Sequence, residues 1–258
     1  MKSILKVENL NYKKILNDVS FSLEENSFNI LMGKNSSGKS TLCKSIFNIL
    51  EYSGSIYFDN ILLADTTISS VRKNIGFVTD ITFFDSGTLL SNIIFYLNNL
   101  GYSNLDARSK AYEVTRKLGI SNILSKDSTT FSSSEQTLSK ISIVLSSNPK
   151  LLILDIALDD LDTNHKEKLI SYLKKSKITI LMVTNNEEDI LLCDSVLLIK
   201  NGKVEQVPNK MIIDNSKVLA KYNLKSPFVM DLSSKLRSYE LLDKEELDID
   251  KLVNKLWN

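Results

Sequence analysis

Eight consecutive residues, Gly33-Lys34-Asn35-Ser36-Ser37-Gly38-Lys39-Ser40, restrict what this chain can fold into more than any other stretch. They satisfy G-x-x-x-x-G-K-[ST], a loop that works only when a strand delivers the chain into the first glycine and a helix departs from the last residues. Both flanks meet that demand. Upstream, Val19-Ser20-Phe21-Ser22-Leu23 alternates and Phe28-Asn29-Ile30-Leu31-Met32 is almost wholly apolar, which reads as two strands joined by the polar turn Glu24-Glu25-Asn26. Downstream, Leu42, Ile46, Ile49 and Leu50 recur at helical spacing, so the sequence predicts a helix from Lys39 to Leu50 with one buried face.

In such a loop the backbone N–H groups turn inward around phosphate oxygens, and the start of the helix adds partial positive charge. The expected ligand is a nucleoside triphosphate, ATP, held with Mg²⁺. Gly33, Asn35, Ser36, Ser37, Gly38 and Thr41 would surround the phosphates, Lys39 would contact the β- and γ-phosphates, and the Ser40 hydroxyl would ligate the metal. Leu151-Leu152-Ile153-Leu154-Asp155 is an apolar strand ending in a carboxylate, which puts Asp155 near the same Mg²⁺, usually through water.

Further strand signals lie at Gly54–Phe58, Ile75–Thr79 and Ile178–Val183, with a last hairpin over Ser195–Ile199 and Gly202–Val204. From about Phe84 to Asn148 the pattern turns helical, as in Ala107–Leu118 and Leu138–Leu145, and reads as a helical insertion in an α/β core. Beyond Pro208 the composition shifts toward short amphipathic helices. Phe228, Val229, Leu232, Leu236 and Tyr239 form one stripe, and Leu252, Val253, Leu256 and Trp257 another. The expected division is 1–206 for a nucleotide-binding domain, with its insertion at about 84–148, and 207–258 for a C-terminal helical subdomain.

Lys and Arg total 32 against 31 for Asp and Glu, which gives no footprint for nucleic acid or an anionic membrane, so membrane contact would have to run through a partner. The two cysteines, Cys43 and Cys193, lie far apart and lack a second pair for a metal box, which points to a reducing compartment. The N-terminal residues meet a charge at Lys2 and build no apolar signal segment, and no uncharged apolar run has the length of a membrane span. A cytoplasmic location is expected.

Several further segments resemble the ATP-binding subunits of ABC transporters, over the whole chain. Phe131-Ser132-Ser133-Ser134-Glu135-Gln136 stands where that family has its L-S-G-G-Q signature, and Asp159-Asp160-Leu161-Asp162 resembles the D-loop, with Asp162 as the matching acid. Tyr12 is similar to the aromatic that stacks on adenine, or is an ordinary strand-edge tyrosine. The resemblance implies an α/β fold, a P-loop NTPase (RecA-like) core with an antiparallel β subdomain. It also implies head-to-tail dimers in which each ATP lies between one subunit's phosphate loop and the other's signature segment. The tail, Leu224 to Arg237 and Asp250 to Trp257, looks like that of the energy-coupling factor (ECF) ATPases, which work with a transmembrane subunit and a substrate-capturing one. That likeness implies a protein peripheral on the inner face of the membrane.

The sequence departs from the family where hydrolysis is performed. The catalytic glutamate position is Ile156, which can neither polarise water nor accept its proton, although such general-base help is worth ~10²–10⁴ in rate. The histidine position after the next strand is Asn185, a hydrogen-bond donor that cannot become a cation. The loop glutamine position is Asp80, a possible metal ligand. Ser133, Ser134 and Glu135 replace glycines and glutamine in the signature, while Ser132-x-x-Glu135 reads as a capping box that keeps the Ser132 hydroxyl near a nucleotide. Asp159 and Asp160 are neighbours that could replace the base, but they match positions facing the dimer partner. The sole histidine, His165, reads as a solvated surface residue.

Binding with weakened hydrolysis is the expectation, in a heterodimer with a better-equipped ATPase subunit and a transmembrane coupling subunit. A homodimeric ATPase with an unconventional base, and a soluble regulatory ABC protein without a membrane partner, are the alternatives.

Overall fold

The computed structural model describes residues 2–80, 87–156, 158, 160–244 and 246–257, without the side chains of 256 and 257. The start of the expected insertion near Phe84, the acid Asp159, and the side chains of Leu256 and Trp257 therefore lie outside the described residues.

The strands are β1 (Ser3–Tyr12), β2 (Leu16–Glu24), β3 (Phe28–Met32), β4 (Ser53–Phe58), β5 (Ile61–Leu62), β6 (Ile75–Thr79), β7 (Leu151–Asp155), β8 (Thr179–Val183), β9 (Ser195–Lys200) and β10 (Lys203–Pro208). The helices are α1 (Lys39–Ile46), α2 (Ile68–Val71), α3 (Leu89–Asn99), α4 (Asn104–Leu118), α5 (Ser133–Leu145), α6 (Thr163–Lys175), α7 (Asn209–Asp214), α8 (Lys217–Ala220), α9 (Phe228–Ser238) and α10 (Ile249–Trp257). They form an antiparallel sheet, β2-β1-β4-β5, and a larger sheet, β10-β9-β3-β8-β7-β6, in which β9, β3, β8, β7 and β6 run parallel. Among the described residues no helix is long and apolar enough to cross a membrane.

Continuous apolar runs make β3, β7 and β8 the centre of the larger sheet, because a parallel strand is buried on both faces. Their side chains divide by alternation. Ile30, Met32, Leu152, Leu154, Ile180 and Met182 join α3, α4, α5 and α6 in one core. Leu31, Leu151, Ile153 and Leu181 join α1 and the antiparallel sheet in another. The turn at Glu24–Asn26 thus joins strands of two different sheets rather than a hairpin. A third cluster, Val229, Leu242 and Leu252 with Leu191 against it, belongs to the tail, whereas Ile212 and Leu219 of α7 and α8 enter the first core.

Two expectations are corrected. Helix α1 ends at Ile46 rather than Leu50, since Asn48 takes a left-handed backbone (φ 56) that closes the helix, and Ile49 is left 55% exposed. In α9 the buried face is Val229, Met230 and Ser233 with Leu232 and Leu236 beside it. Phe228 and Tyr239, at the two ends of the expected stripe, face solvent, and in the second stripe Leu252 is buried while Val253 is exposed.

Candidate functional site: a phosphate-binding cleft

The loop from Gly33 to Ser40 connects β3 to α1, so its position is set by the most deeply buried strand in the sheet. Close packing dictates the first glycine: a Cβ at Gly33 would meet the Ile199 carbonyl oxygen of β9 at 2.5 Å. Gly38 has φ +106, a conformation that other residues rarely adopt, and it turns the chain into the first turn of α1.

The loop forms one wall of a cleft of about 540 Å³, within the range of small-ligand sites, to which Ile15, Thr41, Asp80, Asp155, Ile156 and Asn185 also contribute. Lys39 folds its ammonium back onto the loop and donates to the carbonyls of Gly33 (2.6 Å) and Lys34 (3.1 Å). Burial pushes the Lys39 pKa down, partly opposed by the charge of Asp155. The Ser40 hydroxyl donates to Asp155 Oδ1 at 3.1 Å. Asp155 ends β7 in register with Thr79 of β6, which also brings Asp80 into the cleft. Burial raises the Asp155 carboxyl above its ordinary range and the Asp80 charge adds to this, while the Ser40 hydrogen bond and the Lys44 and Lys39 charges oppose it. A cation beside Asp155 would relieve this frustration.

The donor set fits Mg²⁺. Hydroxyl and carboxylate oxygens are hard donors, and among the described residues no group of three or more His, Cys, Asp or Glu could cage a metal alone. That suits an ion bound by a few protein oxygens together with phosphate and water.

Ile156 is 5% exposed and presents hydrocarbon to the cleft directly after Asp155. Asn185, following β8, donates from Nδ2 to Asn35 Oδ1 at 3.3 Å across the cleft mouth. Ser36, Ser37 and Lys34 shape the loop, and the Ser37 N–H donates to the Lys34 carbonyl. Tyr12 lies at the end of β1, half-buried, with the Lys13 ammonium 5.1 Å from its ring centre, and Ile15 rather than Tyr12 lines the cleft.

Ser132 caps α5 and forms the full box: its hydroxyl accepts from Glu135 N (3.2 Å), and the Glu135 carboxylate accepts from Ser132 N (2.9 Å). Asp162 caps α6 by accepting from His165 N (3.0 Å), and also accepts from the Ser134 hydroxyl (3.2 Å). Its carboxylate lies 2.5 Å from His165 Nδ1, and this contact, first among several, lowers its pKa to about 2. His165 is thus a half-buried partner of the loop acid, 28% exposed in its side chain, rather than a solvated surface residue. The structure also brings together three residues that sequence reasoning passes over: Thr184, Asp189 and Lys166. Asp189 follows two glutamates, a run that reads as solvent-facing, yet it is only 4% exposed.

Residues 16–159 match the ABC transporter family, and the chain belongs to that family of α/β P-loop proteins. Within it, the chain is 30% identical to the energy-coupling factor transporter ATP-binding protein EcfA of Pediococcus pentosaceus, covering all of this chain and 97% of the relative. It is 29% identical to EcfA1 of Oenococcus oeni over 98% of this chain and 97% of that one. The structure of cbiO1 from Clostridium perfringens, described as part of the ABC transporter complex cbiONQ, superposes with a TM-score of 0.75 at 27% identity, covering 90% of this chain and 99% of that one.

Proposed function

We propose that this chain is an ATP-binding subunit of an ECF-type membrane transporter that binds Mg²⁺-ATP and hydrolyses it weakly at its own site. The family is that of ABC transporters, and the similar proteins EcfA of Pediococcus pentosaceus and EcfA1 of Oenococcus oeni are ECF transporter ATP-binding proteins. The observation that carries the reading is the contrast within one cleft: Ser40 and Asp155 are joined beside Lys39, while the next residue, Ile156, is hydrocarbon. Binding groups are present, while the position after Asp155, where the family resemblance expects the water-activating glutamate, carries no carboxylate.

In this reading Lys39 and the loop N–H groups hold the phosphates, Ser40 and Asp155 with Asp80 hold the metal, and Asn185 faces the terminal phosphate. Ser132 and Asp162 serve the neighbouring site across a dimer with a second ATP-binding subunit, a heterodimer being favoured because a partner with intact glutamate and histidine would supply the missing chemistry. The division we propose is a nucleotide-binding domain at 1–206 and a C-terminal helical subdomain at 207–258, whose α7 and α8 pack on the first core. Attachment to the inner face of the membrane runs through a transmembrane coupling subunit.

The test is ATP binding and turnover, measured for this chain alone and with the ATPase and membrane subunits that co-purify with it. Tight binding with negligible turnover alone, and turnover in the complex that collapses when the partner's catalytic glutamate is replaced, is the expected result. Equal turnover after that replacement would overturn the division of labour, and unchanged ATP binding in Lys39→Ala would overturn the site.

A further inference from the structure

We propose that Asp189 is the positioning residue for Asn185, fixing that side chain where it distinguishes a triphosphate from a diphosphate. The inference rests on the reading of Asn185 as the residue that faces the terminal phosphate. Asp189 is buried, and its two carboxylate oxygens are engaged by different parts of the fold. Oδ2 accepts from the Thr184 hydroxyl at 2.6 Å, and Oδ1 lies 3.3 Å from the Lys166 ammonium of α6.

The contacts clamp the residues on both sides of Asn185. The Thr184 hydroxyl, with its proton committed to Asp189, accepts from Asn186 N at 3.0 Å. Asp189 N donates to the Asn186 carbonyl at 3.2 Å, and Thr184 N donates to the Leu31 carbonyl of β3 at 3.3 Å. Asn185 is therefore the middle residue of a turn pinned at 184 and 186, and its amide reaches Asn35 of the phosphate loop. A neutral amide recognises phosphate only through hydrogen-bond geometry, without the long-range attraction of a cation, so its placement decides its value.

Asp189 also lines the cleft, which raises the question of whether it replaces the missing base at Ile156. Its oxygens are committed to Thr184 and Lys166, which suits an anchor rather than a proton acceptor for water. The Lys166 contact extends the clamp to α6, whose first turn is capped by Asp162, so the anchor ties the turn around Asn185 to the helix that follows the D-loop.

The experiment compares affinities for ADP and for the non-hydrolysable β,γ-imido analogue of ATP, both with Mg²⁺, in wild type, Asp189→Asn, Thr184→Val, Asn185→Ala and the Asp189→Asn/Asn185→Ala pair. The expected result is that preference for the triphosphate falls about fivefold or more in each single variant, the low end of measured site-to-site couplings, with no further fall in the double variant. A merely structural role would lower thermal stability and leave the triphosphate-to-diphosphate ratio in place. If Asp189→Asn does not fold, Thr184→Val decides by the same ratio. A wild-type ratio in folded variants, or additive losses in the pair, would overturn the inference alone. Wild-type protein that bound neither nucleotide would overturn the functional reading and this inference with it.

Discussion

Restoring the family's water-activating residue tests the reading of the cleft most directly. Ile156 is 5% exposed, so Ile156→Glu removes a buried hydrocarbon side chain worth about 1.5–3 kcal/mol and introduces a carboxylate beside the already raised Asp155. At about 2–4 °C per kcal/mol for a protein of this size, the nucleotide-free melting temperature should fall by about 3–12 °C. Mg²⁺ and nucleotide should recover part of that loss by binding the folded state and placing positive charge next to the two acids. In exchange, general-base help should raise turnover by ~10²-fold, toward the lower end of its range because Asn185 cannot supply a cation, and Asn185→His should add to it. The assay is phosphate release by the assembled complex, with the partner's own catalytic glutamate replaced so that only this site contributes, and with Lys39→Ala as the blank. If Ile156→Glu/Asn185→His folds, binds ATP and still releases phosphate within tenfold of wild type, the missing residues are not what limits this site.

Gly33→Ala would force a Cβ to within 2.5 Å of the Ile199 carbonyl oxygen, so the backbone of the loop or of β9 must shift. Overpacking of this kind costs about 1–3 kcal/mol, and both melting temperature and ATP affinity should drop. Ser132→Ala removes a helix cap and should cost about 1 kcal/mol, a fall of about 2–4 °C in calorimetry, with ATP affinity of the isolated chain kept. Asp162 has a folded pKa of about 2 against an ordinary 3.8, so its contribution to stability is complete above its ordinary value and is lost as pH falls through about 2. Melting curves should therefore steepen in their pH dependence over that acid window, and Asp162→Asn should flatten them.

What could be read from sequence is what is local in the chain. The phosphate loop, the apolar strand before it and the carboxylate closing β7 are each written in consecutive residues, and the capping box at Ser132 and Glu135 is a four-residue pattern whose geometry the structure contains. Periodicity overextends α1 because Ile49 and Leu50 keep helical spacing while Asn48 closes the helix by a backbone conformation that periodicity does not encode. Phe228 and Tyr239 fit an apolar stripe by count, but the face that finds neighbours is centred on Val229 and Ser233. The Thr184–Asp189–Lys166 cluster was invisible for a different reason. Lys166 is contributed by another helix, and Asp189 follows Glu187 and Glu188, so local composition suggests a solvated acidic surface where tertiary packing has buried a carboxylate.

The sheet order carries a consequence for how the protein is made. Strand β3, which aims the phosphate loop, has as its two neighbours β8 and β9: Phe28 aligns with Ile180, and Asn29 with Ser195. The paired residues of these neighbours are synthesised 152 and 166 residues after their partners in β3, and contacts so distant in sequence form late. A growing chain carries the complete Gly33–Ser40 sequence early in translation, yet lacks the rails on which that loop is mounted until Ile199 has emerged. Nucleotide binding would therefore report completion of the whole sheet, and free ATP in the cell would stabilise finished molecules selectively over truncated ones.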